Sequence, residues 1–185
     1  GLIDVLVGSM IGIIGIYLVG RKSASSRLPH LISKTIRSQA QLLYVLFSDQ
    51  GAGFTAKESR ELRKMRTNLI NLKTLYNTAT GEVPVNQKAV DYYWPVVYKI
   101  DHIGYLLESY AKKDHLPRLS DDVLSGYLLA CETIANAINR KKSPDKKDIP
   151  DVPGFPNIKR EFNQLQNLLQ LEEEINFHSS KNSHK

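Results

Sequence analysis

The sequence predicts an all-α protein, with one transmembrane helix followed by a cytoplasmic antiparallel helical bundle. Three observations carry this. Val5 to Gly20 contains no charge and, with Leu2 and Ile3, approaches the roughly 20 residues a helix needs to cross a bilayer. Beyond that run, apolar residues recur at three- and four-residue spacing in five separate segments. Brief polar breaks containing Gly or Pro divide those segments, and short connections favour antiparallel neighbours.

Residues 1–20 are the expected span. Arg21 and Lys22 close it at once, and no Asp or Glu falls between Asp4 and Asp49, whereas Arg21, Lys22, Arg27, Lys34 and Arg37 all do. Flanks rich in Lys and Arg stay in the cytoplasm, so Gly1 is expected outside and Arg21 inside. Other readings fit less well. A signal peptide carries its charge before the apolar run. A core helix shows a polar face, which here would be only Ser9 and Tyr17. Four glycines would weaken a strand. Gly8, Gly12 and Gly15 recur at i, i+4 and i+7 and form a small-residue face that a second helix can approach closely, although glycine is also common in membrane helices generally. No second span follows. The chain opens at Gly1 inside an apolar run, so the partner is expected from missing upstream membrane helices or another chain.

Residues 21–140 read as a cytoplasmic helical domain. After the polar joint Ser23–Ser26, Pro29 is suited to a helix's first turn. Ile32, Ile36, Leu43 and Phe47 then share one side, while His30, Lys34, Arg37 and Gln41 share another. Such a helix suits either a membrane surface or the bundle. Residues 48–53 form a break. Thr55 and Glu58 have capping-box spacing ahead of Leu62, Met65, Leu69, Leu72 and Tyr76. Asn86 caps a segment that crosses Pro95, where a kink or a fresh start is expected, and runs on through Val96, Ile100, Ile103 and Leu107. Ser120, with Asp121 and Asp122 in the first turn, opens a helix carrying Val123, Leu124, Tyr127, Leu128, Ile134 and Ile138. Residues 141–155, rich in Pro, Lys and Asp, read as a linker. In residues 156–178 the positions Ile158, Phe162, Leu165 and Leu169 approach a heptad seam, and 179–185 read as a polar, disordered tail.

The net charge is +6 in 185 residues, and the first fifty residues hold five bases against two acids. That density beside an apolar run fits an anionic membrane leaflet better than a nucleic-acid surface, so the lipid bilayer is the expected partner and nucleic acid is not. The lone Cys131 excludes an internal disulfide and reads as a small buried hydrophobe.

Motifs of catalysis are missing. The sequence has no phosphate loop, paired cysteines, His-x-x-x-His or nucleophile elbow, and neither a metal nor a cofactor is expected. Asp101 and His102 interrupt an apolar stripe. Adjacent on a helix, they point about 100° apart and do not face each other. At least one should meet another helix, for instance a base among residues 60–73, as a structural ion pair; a sensing role is the sharper alternative. Tyr92, Tyr93, Trp94, Tyr98 and Tyr105 read as core, with a pocket for a planar ligand as the alternative.

Four stretches together resemble the C-terminal part of a bacterial FUSC family protein, the fusaric acid resistance and aromatic acid exporter group, in its Gram-positive form. They are Gly20–Pro29, Leu72–Asn77, Tyr93–Pro95 with Ile100–Glu108, and Tyr127–Leu129 with Glu132–Ile138. The resemblance implies a transporter half of several spans followed by a cytoplasmic helical domain in the plasma membrane, assembled as a homo-oligomer. It also implies efflux of aromatic carboxylic acids or similar toxic compounds, and brings no functional residue onto these positions. The rival reading is a single-span anchored scaffold that recruits a partner through Ile158, Phe162, Leu165 and Leu169. A cytosolic enzyme using Asp101 and His102 has the least support.

Overall fold

The computed structural model describes the backbone of residues 1–20, 23–48 and 56–182, and the side chains of 1–11, 23–48 and 58–170. The described residues form helices and no strand: α1 (Leu2–Gly20), α2 (Ala24–Ser48), α3 (Ala56–Thr80), α4 (Gln87–Ala111), α5 (Asp121–Asn139) and α6 (Pro156–Asn182).

In α1 every described side chain is exposed, including the apolar Leu2, Ile3, Val5, Leu6, Val7, Met10 and Ile11. Among the described residues no helix is long and apolar enough to cross a membrane. Of the transmembrane helix expected over 1–20, the described residues thus show an apolar helix and not a span. Its described side chains, residues 1–11, rise only about 16 Å at 1.5 Å per residue, against ~30 Å of hydrocarbon. The remainder of the expected span lies outside the described side chains.

Helix α2 begins at Ala24, ahead of the start expected at Pro29. The reason is a cap from far along the chain: the amides of Ala24 and Ser25 donate to the two carboxylate oxygens of Glu82, at 3.0 and 3.1 Å. Those first N–H groups have no intrahelical acceptor, and a carboxylate also suits the positive end of the helix dipole. Pro29 is then interior, a position that takes one backbone donor from the helix. Two expected caps form as read. Asn86 accepts from the Ala89 amide at 3.1 Å, and Ser120 from the Val123 amide at 3.4 Å. Thr55 lies outside the described residues. Helix α4 continues through Pro95 as one element, without a fresh start there.

The bundle is built on α2, which packs on α3, α5 and α4; α3 also packs on α4, and α4 on α6. Its Ile32, Ile36, Leu43 and Phe47 are fully buried, which places this amphipathic helix in the bundle core. Pairings fall in opposite order along the two partners. Ser33 Oγ donates to the Ala135 carbonyl at 2.8 Å while Arg37 reaches Glu132 at 3.0 Å, so α2 and α5 are antiparallel. Lys73 with Asp101 and Arg66 with Glu108 make α3 and α4 antiparallel in the same way. Glu82 on Ala24 and the Asn68 carbonyl near Thr35 do so for α2 and α3.

The expected linker, residues 141–155, is part of this core. Ile149 and Val152 are buried, the Phe155 ring meets Phe47 and Tyr110 edge-on, and the Tyr127 hydroxyl donates to the Pro150 carbonyl at 2.6 Å. The buried Gln166 ties the segment to α6, accepting from the Lys147 amide at 2.8 Å and donating to its carbonyl at 3.0 Å. The prolines stiffen a strap rather than a free tether. Helix α6 runs on to Asn182, past the expected end at 178; residues 183–185 of the expected tail lie outside the described residues.

Candidate functional site

Among the described residues the buried charged side chain is Glu161 of α6, and it faces α4. Lys99 and His102 are three residues apart and so share one face of α4, which looks onto α6, whereas Asp101 is turned towards α3. Asp101 pairs there with Lys73 at 3.1 Å. His102 faces Glu161, its Nε2 lying 3.6 Å from one carboxylate oxygen. The two residues the sequence singles out thus serve different helices, as their angular separation requires.

Glu161 is the centre of the group. It is only 4% exposed. Lys99 Nζ donates to its Oε2 at 2.7 Å and to Gln164 Oε1 at 2.5 Å, and Arg160 Nε stands 3.8 Å from Oε1. A carboxylate taken out of water in this way needs such partners. Its charge also reaches Tyr110, whose hydroxyl is raised above its ordinary pKa, first by burial and then by Glu161. The arrangement is an ionic latch between α4 and α6. The sequence hides Glu161 and Lys99 because each adjoins an apolar seam position, Phe162 or Ile100, and charges at seam edges are usually solvated.

Other expectations resolve as follows. At Gly8 an added Cβ would meet nothing within 4 Å, so this part of the small-residue face is open; Gly12 and Gly15 lie outside the described side chains. Ile158, Phe162, Leu165 and Leu169 are buried in the chain's own core, with Phe162 edge-on to the Tyr127 ring. The aromatic cluster expected as core divides instead. Tyr93 is buried and Tyr92 half-buried, but Trp94, Tyr98 and Tyr105 are 54%, 61% and 66% exposed. The cause is angular: the buried stripe of α4 runs through Val90, Tyr93, Val97, Ile100 and Gly104, and 94, 98 and 105 fall off it. Cys131 is enclosed, and burial pushes its thiol up to about 12, so it keeps its proton at neutral pH and is a poor nucleophile. Among the described residues no cluster of His, Cys, Asp or Glu could hold a metal ion.

Over 165 residues, 89% of its length, the chain is 31% identical to the "Uncharacterized membrane protein YvaC" of Bacillus subtilis (strain 168). It spans only 25% of that relative's length. No family model matches the chain, and no solved structure matches it.

Proposed function

We propose that these residues are the C-terminal part of a longer membrane protein of the FUSC type, with α1 as its last span and α2–α6 as a cytoplasmic bundle that assembles or regulates it. The observation that carries this reading is the likeness to one quarter of a membrane protein across nearly the whole of this chain. Two features support it. Apart from Asp4 and Ser9 the described side chains of α1 are apolar, and all are exposed, as a helix awaiting lipid or other spans requires. Gly8, Gly12 and Gly15 offer upstream helices of the same protein a close approach. Arg21 and Lys22 orient the bundle to the cytoplasm. The whole protein, acting as a homo-oligomer in the plasma membrane, exports aromatic carboxylic acids or related small toxic compounds.

The rival scaffold loses its docking surface, since all four seam residues of α6 close the bundle's own core. The test uses the full-length protein in its host. Cells lacking it should retain a labelled aromatic carboxylate several-fold more than cells that have it. Equal retention of benzoate, hydroxybenzoate and fusarate would refute export. An impermeant thiol reagent should reach a cysteine added after Lys185 only once cells are opened, and labelling of intact cells would overturn the orientation.

A further inference from the structure

Antiparallel pairing brings the start of α2, the start of α4 and the end of α5 to the end of the bundle from which α1 departs. A cavity of about 580 Å³ opens between them. Lys88, Lys141 and Lys142 line it, and among the described residues no Asp or Glu does. None of the three ammonium groups has an acidic partner among the described residues. Glu82, at the same end, spends both carboxylate oxygens on the amides of α2. Three cations around one cavity repel one another until an anion enters.

Two details sharpen the character of the site. Lys141 has φ of 54°, and the closing turn of α5 is completed by the Lys141 and Lys142 amides donating to Ile138 and Ala137. That left-handed position suits glycine, and a lysine side chain is carried there instead. Asn86 spends its carbonyl oxygen on the α4 cap and keeps its amide hydrogens for another acceptor. Pro29 and Ile138 supply an apolar wall.

We infer that this cavity binds the phosphate of an anionic phospholipid headgroup. Lysines hold phosphate as point charges, and the apolar wall suits the glycerol end of a lipid. The cavity lies at the end of the bundle that continues, through Arg21 and Lys22, into the apolar α1, and basic clusters in that position attract anionic lipid. The lipid as source rests on reading α1 as a membrane helix; the phosphate site does not.

Calorimetric titration of the full chain in an uncharged maltoside detergent tests both. Dihexanoyl phosphatidylglycerol should bind saturably and at least tenfold more tightly than dihexanoyl phosphatidylcholine. Lys88→Gln and Lys142→Gln should each weaken it tenfold or more without changing thermal unfolding, since both lysines are exposed and have no ion pair among the described residues. If inorganic phosphate binds equally well and is lost in the same variants, the phosphate site stands and the lipid source is overturned. Absence of saturable binding, or binding indifferent to both substitutions, overturns the site itself. Because the lipids are supplied as short-chain molecules to protein in micelles, none of these outcomes depends on whether α1 spans a bilayer.

Discussion

Cys131 shows how one side chain ties burial to pH dependence. Burial, and after it the charge of Glu132, raises its thiol from 9.0 to about 12, and burial chiefly raises the Tyr127 hydroxyl as well. Both groups are neutral when folded and ionise more readily in the unfolded chain. Their contribution to stability is therefore complete below about pH 9 and declines as pH rises towards the folded values. Replacing Cys131 with Ala should flatten part of that alkaline decline, read by urea unfolding at pH 8 and pH 10.5. At pH 8 the native thiol should react with a maleimide about 100-fold more slowly than in urea, because attack requires an exposed thiolate. Equal rates would place Cys131 at the surface. The burial of this residue was legible in Leu128-Leu129-Ala130. By contrast, no local pattern announces the role of Glu82, since the amides that donate to it lie 57 and 58 residues away.

Among the elements, α4 and α6 are joined by apolar seams that spacing reveals and by an ionic latch that it does not. Lys99 is mostly enclosed and Glu161 almost wholly so. Lys99→Met should then leave the carboxylate buried without its main partner and cost about 3 kcal/mol. Combining it with Glu161→Leu should recover most of the loss, because an apolar pair of similar size avoids desolvating two charges. Chemical denaturation of the two single variants and the double variant measures the coupling. A double variant as unstable as the sum of the singles would mean the two residues act independently. The apolar stripes of α2, α3 and α4 were readable because their periods match one buried face. Trp94, Tyr98 and Tyr105 lie off that face although their residue type suggests core, and Lys99 and Glu161 are not legible because their faces are defined only once α6 has docked.

At the level of the whole molecule, the sequence divides the chain at its prolines, whereas the structure closes the strap 141–155 and α6 onto a single core centred on α2. Local breaker signals register where helices stop; they carry no information on whether a stretch such as Ile149–Val152 packs back. Equally invisible is how α1 is mechanically joined to the bundle. The first turn of α2, which follows α1 in sequence, is held by the loop after α3 through Glu82. Two charge-assisted bonds to backbone amides at a helix start contribute about 1–2 kcal/mol. Removing them with Glu82→Ala should loosen the joint first, since the Ser23 hydroxyl oxygen, which accepts from the Ser26 amide at 3.3 Å, is the local cap left behind. Hydrogen exchange at Ala24 and Ser25 should accelerate roughly tenfold, in line with that energy, while the amides of Ile100 and Ile103 in the core exchange as before. If the first turn of α2 keeps its protection without the Glu82 carboxylate, the joint is held by other contacts, and movement of α1 would reach the bundle by a route that bypasses the loop after α3.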